Sequence, residues 1–465
     1  MVKKYHIWTI GCQMNSADSL HLGAALEGLG CEHTADVQQA DVIVLNTCVV
    51  RQSAEDRAAG FLWSLKPLKE RRPETVIGLM GCMVGVKGNG RLHERFPHVD
   101  VFMPPGEAAA LIEHLKALHP LIPSSPKPPG TALQSREGES PPLRKAERGP
   151  GGEVNLAVLP LHQRGRLVSA PVPVLLGCNH VCSYCIVPAR RGRERSRPMD
   201  EVLAEVGALA GQGVREVVLL GQIVDRYGHD LGTGAPRLPE LLAAVSQVEG
   251  IARLRFLTSH PNYFDGRLIE AMRTLPKVCE HVEVPIQAGD DEILRRMRRE
   301  HSADNYRCLI GRIREQMPGC SIATDVIVGF PGETEAQFQA TLDLLAELRM
   351  DVCHVAMYSP RPGTLAAKTM PDDVPAREKK RRLDAVNMLQ EQVAAEINSR
   401  LLGRRVEILV EGRQKGKWKG RTRTNKLVFF DDAGGASRRG QLVEVVVTWT
   451  GPWSMQAKLE VGSTK

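Results

Sequence analysis

The sequence predicts an α/β chain in three parts: an N-terminal parallel α/β domain, a partial (β/α)6 barrel, and a small OB-like β-barrel at the C-terminal end. Three observations lead there. Before residue 118, and again after about residue 160, apolar runs of strand length alternate with stretches whose apolar residues recur at helical spacing, as in parallel strands joined by crossover helices. Between these two regions the periodicity is lost in a proline-rich stretch. After a helical stripe ending near Leu402, five short strand-like runs follow. At 465 residues, two to four domains are expected, and 42% hydrophobic with 25% charged residues is a globular composition.

In the first part, residues 1–118, the strand-like runs are Tyr5 to Ile10, Asp41 to Leu45 and Thr75 to Met80, with helical stretches at Ser19 to Leu29 and Ser53 to Leu68. A cysteine follows each of the three strands: Gly11-Cys12, Asn46-Thr47-Cys48 and Gly81-Cys82. The carboxyl ends of strands in an open α/β sheet border one crevice, so these side chains can meet there. The helix N-termini that follow have dipoles favouring thiolates. Buried apolar cysteines are the plainer reading of any one of them. Three at equivalent positions point to an iron–sulfur cluster with one iron left open. Cys31, after Gly30 near a helix end, reads as structural.

Residues 119–160 read as a tether. Eight prolines fall between positions 120 and 150, mixed with Ser, Gly, Lys and Glu, and a stretch this long without periodicity does not belong inside a compact domain.

The third region, residues 161–396, contains six strand-like runs: Val172 to Leu176, Glu216 to Leu220, Arg253 to Thr258, His281 to Pro285, Ile322 to Val328 and Asp351 to Tyr358. Helical stretches such as Met199 to Ala210 and Gln337 to Leu348 intervene. Six βα units are too few to close an eight-stranded barrel. The first strand runs into Gly177-Cys178-Asn179-His180-Val181-Cys182-Ser183-Tyr184-Cys185, three thiols within eight residues. Converging thiolates suit a soft metal centre. A cubane cluster takes four ligands, so three leave one iron open. The alternative is structural zinc, which is closed by four Cys or His ligands, usually as two separated pairs. His180 could complete such a set on paper, but the tight loop points it elsewhere.

Polar residues gather near the other strand ends, where a parallel barrel presents its site: Gly221-Gln222, Ser259-His260-Pro261, Gln287-Ala288-Gly289, Thr324-Asp325 and Tyr358 to Thr364. The stretch Gly329 to Thr334 reads as a turn and lacks the Lys-Ser/Thr of a phosphate loop. No general acid or base stands out. Cys279, Cys308, Cys320 and Cys353 show no ligand spacing and are expected to pack.

Residues 397–465 form the last part. Leading into it, a helix from about Ala376 to Leu402 aligns Leu383, Val386, Leu389, Val393 and Ile397, and Gly403 stops it. The five runs beyond are Val406 to Val410, Lys417 to Arg423, Leu427 to Phe430, Gln441 to Thr450 and Gln456 to Val461, a count that suits an OB-like barrel. From residue 401 onward, 13 Lys and Arg face 6 Asp and Glu, so this segment holds all of the chain's net charge of +7. Arg413, Lys415, Lys417, Lys419, Arg421 and Arg423 alternate through one hairpin beside Trp418, with Phe429, Phe430, Trp449 and Trp453 nearby. Charges on one strand face suit phosphates, and aromatics stack bases; a solvated basic edge strand is the blander alternative.

The CxxxCxxC loop directly after a strand resembles the radical S-adenosylmethionine (SAM) enzymes. The resemblance implies that Cys178, Cys182 and Cys185 hold a [4Fe-4S] cluster whose open iron binds SAM, and that an electron from it cleaves the sulfonium to a 5'-deoxyadenosyl radical. With Gly11-Cys12-Gln13-Met14-Asn15, Asn46-Thr47-Cys48 and Gly81-Cys82-Met83 ahead of that loop, the chain looks like the methylthiotransferase family. That implies a second [4Fe-4S] cluster at Cys12, Cys48 and Cys82. Gly420 to Asn425 resembles the TRAM domain, an RNA-binding module of these enzymes, and gives Lys415, Lys417, Trp418, Lys419, Arg421 and Arg423 as expected RNA contacts. Gln222, Gln287, Asp325 and His260 are the expected SAM or substrate lining. Ile223 and Asp225 stand where much of the family has asparagines.

The residues after Cys12 match the branch that modifies tRNA. Its reaction adds a 2-methylthio group to N6-isopentenyladenosine at position 37, beside the anticodon. The implied partners are the anticodon stem-loop of tRNA and an electron-donor protein, and the chain is expected to be a cytoplasmic monomer without a membrane segment. Eleven cysteines in an intracellular chain argue for metal or redox chemistry rather than disulfides. The rivals are a sister methylthiotransferase, acting on threonylcarbamoyladenosine or a ribosomal protein, and a metal-stabilised RNA-binding protein without catalysis. Anaerobic reconstitution is expected to load iron and sulfide and to support reductive SAM cleavage; zinc uptake alone, without cleavage, would favour the last.

Overall fold

The computed structural model describes residues 2–49, 52–86, 91–118, 159–232, 234–432 and 436–464. The tether expected over 119–160 falls, up to residue 158, outside them. Among the described residues no helix is long and apolar enough to cross a membrane.

The N-terminal domain runs β1 (Lys4–Thr9), α1 (Gln13–Gly28), β2 (Glu32–His33), β3 (Val42–Thr47), α2 (Gln52–Arg71), β4 (Val76–Gly81), α3 (Arg91–Arg95), β5 (Val101–Met103) and α4 (Ala109–Leu118). Its sheet is parallel, in the order β2-β1-β3-β4-β5. β3 and β4 are buried at every position, because side chains alternate between two covered faces. Ile43 and Leu45 pack under α2 with Leu62 and Leu65. Val42 and Val44 face the other way, toward Leu22 and Leu26 of α1 and Leu111 and Leu115 of α4. Cys31 packs in that second core. The edge strands β2 and β5, two and three residues long, are too short to show a period in the sequence.

The second domain runs β6 (Ser169–Pro173), β7 (Leu175–Leu176), α5 (Val187–Arg191), β8 (Arg195–Ser196), α6 (Met199–Gly211), β9 (Glu216–Leu220), α7 (Leu238–Ser246), β10 (Arg253–Leu257), α8 (Gly266–Thr274), β11 (His281–Glu283), α9 (Asp291–Arg296), α10 (Ala303–Gln316), β12 (Ser321–Val328), α11 (Glu335–Leu348), β13 (Val352–Met357) and α12 (Leu365–Thr369). β6, β9 and β10 pair in parallel, as do β11, β12 and β13. Backbone bonds from Leu254 to Lys277, Cys279 to Leu254 and Ser259 to Glu283 join the two sets, giving the expected six-stranded partial barrel. Its open side is covered by the first domain: Gln13, Ser16 and Leu20 of α1 and Ile7 and Thr9 of β1 line the same cavity as Pro171, Val218 and Glu283. Cys279, Cys320 and Cys353 are buried as expected, but Cys308 is exposed, because it lies on the outward face of α10.

α13 (Ala376–Ser399) ends three residues short of the predicted Leu402. Its buried face carries Val386 and Val393 as expected, but also Lys379, Arg382, Gln390 and Asn398. Their donors are satisfied: Lys379 by the Tyr358 carbonyl at 3.2 Å, Arg382 by Glu333 at 2.8 Å, Gln390 by the Met350 and Asp351 carbonyls, and the Asn398 amide nitrogen by the Gly451 and Pro452 carbonyls, while Asn398 Oδ1 is buried without a partner. β14 (Arg405–Gln414), β15 (Lys417–Thr422), β16 (Leu427–Asp431), β17 (Leu442–Thr450) and β18 (Met455–Thr464) then close into a barrel in the order β14-β15-β16-β18-β17.

This small barrel is fastened to the N-terminal ends of the parallel strands, at the opposite end from the cysteine loop. Arg253 donates to the Arg421 carbonyl at 2.6 Å, and Arg255 to the Thr422 and Arg423 carbonyls, both at 2.7 Å. Arg255 also holds Glu216 at 2.8 Å, and both side chains are almost fully buried. In return, Arg423 reaches Glu280 through Nε at 2.8 Å and Nη2 at 2.7 Å. Arg255→Ala would leave Glu216 buried with no counter-charge, and a loss of about 3–5 kcal/mol in urea denaturation is expected; a loss under about 1 kcal/mol would contradict the fastening.

Candidate metal centres

The first centre is built from the ends of β1, β3 and β4. Cys12 caps α1, while Cys48 and Cys82 follow β3 and β4. Cys12 is exposed, whereas Cys48 and Cys82 are buried. The three thiols lie within electrostatic reach of one another. A reciprocal amide pair locks the strand ends together. Asn15 donates to Asn46 Oδ1 at 2.8 Å and to the Thr47 carbonyl at 3.0 Å, and Asn46 donates back to the Asn15 carbonyl at 2.8 Å. Asn15 Oδ1 in turn accepts from the Cys12 thiol at 3.3 Å. Gly11 has a φ of +146°, and a Cβ there would lie 2.7 Å from Asn15 Oδ1 and 2.8 Å from the Cys48 Cβ, so a larger residue would separate the thiols.

The second centre is the loop between β7 and α5. Gly177 takes a φ of +70°, where a Cβ would lie 2.1 Å from the Arg193 carbonyl, and Cys178 N donates to the Gly192 carbonyl at 3.1 Å. His180 does turn away from the thiols: its Nε2 meets the Tyr263 hydroxyl at 3.0 Å, and its ring packs 4.9 Å from His260. Arg299 approaches Cys182 Sγ at 3.9 Å and donates to the Pro285 carbonyl.

Among the described residues no group of three His, Cys, Asp or Glu side chains is gathered so as to hold a single metal ion. In a cubane each thiolate binds a different iron, so a trio must surround a volume rather than a point. The donor chemistry fits. Burial pushes Cys82 and Cys178 up to about 11 and Cys185 up to about 12, so desolvation outweighs the helix dipoles expected to favour the thiolates. Such thiols ionise when a metal ligates them, and Arg191 and Arg299 stand beside the two trios to offset the charge.

Arg191 was not legible in the sequence. It lies at the end of α5, yet its guanidinium reaches into the N-terminal domain. It hydrogen-bonds Cys82, pairs with Asp18 at 3.3 Å and reaches Asn15 at 3.5 Å, with only 4% of the side chain exposed. The preceding backbone supports this placement: the Arg190 carbonyl accepts from Val86 N at 3.0 Å, and Ile186 packs with Cys82 and Met83. Arg361 adds a second tie, to Gln52 at 3.0 Å. Between the two centres lies an apolar seam in which Met14 packs with Leu176, Val218, Leu220 and Leu257. Met14 is two residues past Cys12, and Leu176 two before Cys178.

The barrel loops place the other predicted residues unequally. Gln222 is half-buried past β9. Gln287 adopts a strained φ of +77° and is bonded to Asp325 through the backbone at 2.9 Å. Asp325 lies on the inner wall, within electrostatic reach of Tyr184. None of the four is among the residues lining the central cavity; His260 is 1% exposed, packed behind His180 and Tyr263, and burial holds it far below the usual imidazole range. Asp225 Oδ2 accepts from His260 N at 2.9 Å while Oδ1 is buried without a partner. Burial raises this carboxyl to about 8; in its protonated form it matches in shape the asparagine that the resemblance leads one to expect at this position.

The basic hairpin is divided. Lys415 is exposed at the β14–β15 turn, and Lys417 and Lys419 lie on the outer face. Lys417 is paired with Asp431 at 3.0 Å. Trp418 points the other way, into the barrel core, with Arg413 stacked over it at 4.4 Å, so it is not an open stacking surface. Arg421 turns to Glu411 at 3.2 Å while keeping 40% of its side chain exposed, and Arg423 is paired with Glu280. The exposed aromatics are Trp449 and Trp453, 50% and 58% accessible. Asn398 fixes their connecting turn, and Trp453 lines the central cavity.

Comparison with known proteins gives three family matches: the Radical SAM superfamily over residues 172–345, an uncharacterized protein family (UPF0004) over residues 4–104, and the TRAM domain over residues 399–459. The tRNA-2-methylthio-N(6)-dimethylallyladenosine synthase of Roseiflexus sp. (strain RS-1) is 44% identical over 98% of this chain and 90% of its own length. The protein of that name from Chloroflexus aurantiacus is also 44% identical, over 98% and 91%. Among solved structures, the radical S-adenosylmethionine methyltransferase TsrM from Kitasatospora setae shares the fold, with a TM-score of 0.53 at 16% identity over 79% of this chain and 74% of that one.

The raised Asp225 carboxyl has a pH signature. With a folded value of about 8 against an ordinary 3.8, its contribution to stability is complete below pH 3.8 and is lost as pH climbs through about 8. Asp225→Asn lacks this loss. Its thermal midpoint should therefore rise relative to wild type between pH 5 and pH 8 and keep a constant lead above that; a lead independent of pH over the whole range would show the carboxyl to be ionised throughout.

Proposed function

The chain belongs to the tRNA-2-methylthio-N6-dimethylallyladenosine synthases, a family of radical SAM methylthiotransferases, and we propose that it places a methylthio group on C2 of N6-isopentenyladenosine at position 37 of tRNA. Its cofactors are two [4Fe-4S] clusters and SAM. Cys178, Cys182 and Cys185 would hold the cluster that binds SAM, and Cys12, Cys48 and Cys82 the auxiliary one. When bound, these groups supply a hydrogen-abstracting radical, sulfur and a methyl group.

The observation that carries this reading is the buried guanidinium that links the helix after one thiol trio to the other trio. Arg191, six residues past Cys185, hydrogen-bonds Cys82 of the N-terminal trio. Met14, two residues past Cys12, and Leu176, two before Cys178, belong to one apolar cluster and would help to keep water from the site. Arg191 and Arg299 offset the negative charge that the ligated thiolates bring.

The TRAM module supports an RNA substrate. The anticodon stem-loop would meet Lys415, Lys417 and Lys419 through phosphates and Trp449 and Trp453 through unstacked bases. Single replacement of Trp453 by Ala is expected to weaken stem-loop binding about tenfold or somewhat more. Trp418→Ala should instead lower the melting temperature, since that ring fills the barrel core. The reading also includes a separate electron-donor protein, a monomeric chain and a cytoplasmic setting.

Nucleoside analysis of tRNA tests the substrate: deletion of the gene should leave N6-isopentenyladenosine without its methylthio form and leave methylthiolated threonylcarbamoyladenosine unchanged. For the cysteines, a triple alanine variant at Cys12, Cys48 and Cys82 should keep one cluster's iron and SAM cleavage while losing thiolation. Loss of both clusters together, or full iron content, would refute the division of ligands.

A further inference from the structure

The partial barrel encloses a cavity of about 790 Å³, walled by the inner faces of its strands and closed by α1, β1 and the small barrel. That is room for a nucleoside. Three of the carboxylates on its wall are paired with cations. Glu216 is held by Arg255 at 2.8 Å, Asp351 by Lys426 at 2.7 Å and Glu411 by Arg421 at 3.2 Å. Glu283, on β11, is different: among the described residues it has no ion pair and no hydrogen bond to its carboxyl.

Its position follows from register. Glu283 pairs with Ala323 of β12, and Asp325 lies two residues further along the same inner face. Glu283 therefore sits one step deeper in the barrel than Asp325, which lies within reach of Tyr184 in the cysteine loop. A base extruded into the cavity, with its C2 turned toward that loop, would present a ring nitrogen to this step.

We propose, resting on the adenine substrate argued above, that Glu283 is a specificity residue whose carboxyl hydrogen-bonds one of the two ring nitrogens flanking C2 of the adenine, N1 or N3, and so fixes C2 in the cavity. Both nitrogens are acceptors, so the carboxyl must donate. Burial, and then the neighbouring charge of Asp325, push it up to about 7. The other charged groups named above come from β9, β10, the start of β13 and the small barrel and are held in pairs, and His354 of β13 also lines the wall. His281, two residues earlier on the same strand, is turned to Ser321. An acceptor nitrogen against the carboxyl favours its protonated form further.

The experiment uses the reconstituted enzyme and isopentenylated anticodon stem-loops carrying adenine, 1-deazaadenine or 3-deazaadenine at the reacting position, with iron content and thermal midpoint checked for each variant. Wild-type turnover of the adenine stem-loop tests the parent reading by itself. Glu283→Ala should raise KM for adenine about tenfold, the scale of a lost buried hydrogen bond, while Glu283→Gln, whose amide also donates, should recover most of it. Wild type should lose a similar factor on one of the two deaza substrates, and Glu283→Ala no more than it has already lost. The inference is overturned if Glu283→Ala keeps the wild-type KM, or if it falls by the same factor on all three substrates, which would mark a packing defect.

Discussion

The buried Arg191 guanidinium is the interaction on which the rest of the site depends. A cation with 4% of its side chain exposed is costly unless anions and acceptors surround it. Asp18, Asn15 and Cys82 do so from the N-terminal domain, while the cation itself is carried on the helix that follows the CxxxCxxC loop. The two domains therefore share one electrostatic centre. Displacing α5 would strand the charge, and displacing α1 would remove its partners. Ligated thiolates at Cys12, Cys48 and Cys82 would deepen the same well, so loading of that centre and docking of the domains reinforce each other.

At the far end of the partial barrel, arginine does similar work with carbonyls. Arg253 and Arg255 bond the backbone of β15 and the turn after it, and Arg423 returns to Glu280. The RNA-binding module is thus held at the N-terminal end of the strands, while the cysteine loop stands at the other. The central cavity opens from the small barrel into the middle of the strands. It is lined by Trp453 and Arg421 on the small barrel and by Gln13 and Ser16, just past Cys12, on α1.

Much of this was legible in the sequence because periodicity and termination are local. Three apolar runs each followed by a cysteine could only bring those cysteines to one sheet edge, and six βα units could only make an open barrel. What stayed hidden depends on distant partners. Arg191, Arg299 and Glu283 have no spacing that sets them apart; each acquires meaning from a residue up to 173 positions away, as Arg191 does from Asp18. The alternation of charges on β15 holds for Lys417 and Lys419, and the same alternation sends the intervening Trp418 into the core. Arg423 looked like one more member of that row. It lies past the end of β15, where the chain turns toward β11, and there it meets Glu280 rather than solvent. His260 sits beyond a strand end as active-site residues do, but the rings of His180 and Tyr263 stand in front of it.

The central claim is that two iron–sulfur centres face each other across the seam formed by Met14 and Leu176. Pulsed EPR on the reduced, fully reconstituted chain tests it most directly, through the effect of one paramagnetic cluster on the relaxation of the other. The relaxation of the cluster at Cys178, Cys182 and Cys185 should be enhanced in the intact chain and return to that of an isolated cluster when Cys12, Cys48 and Cys82 are replaced. Two clusters that relax independently in the wild-type protein would contradict it.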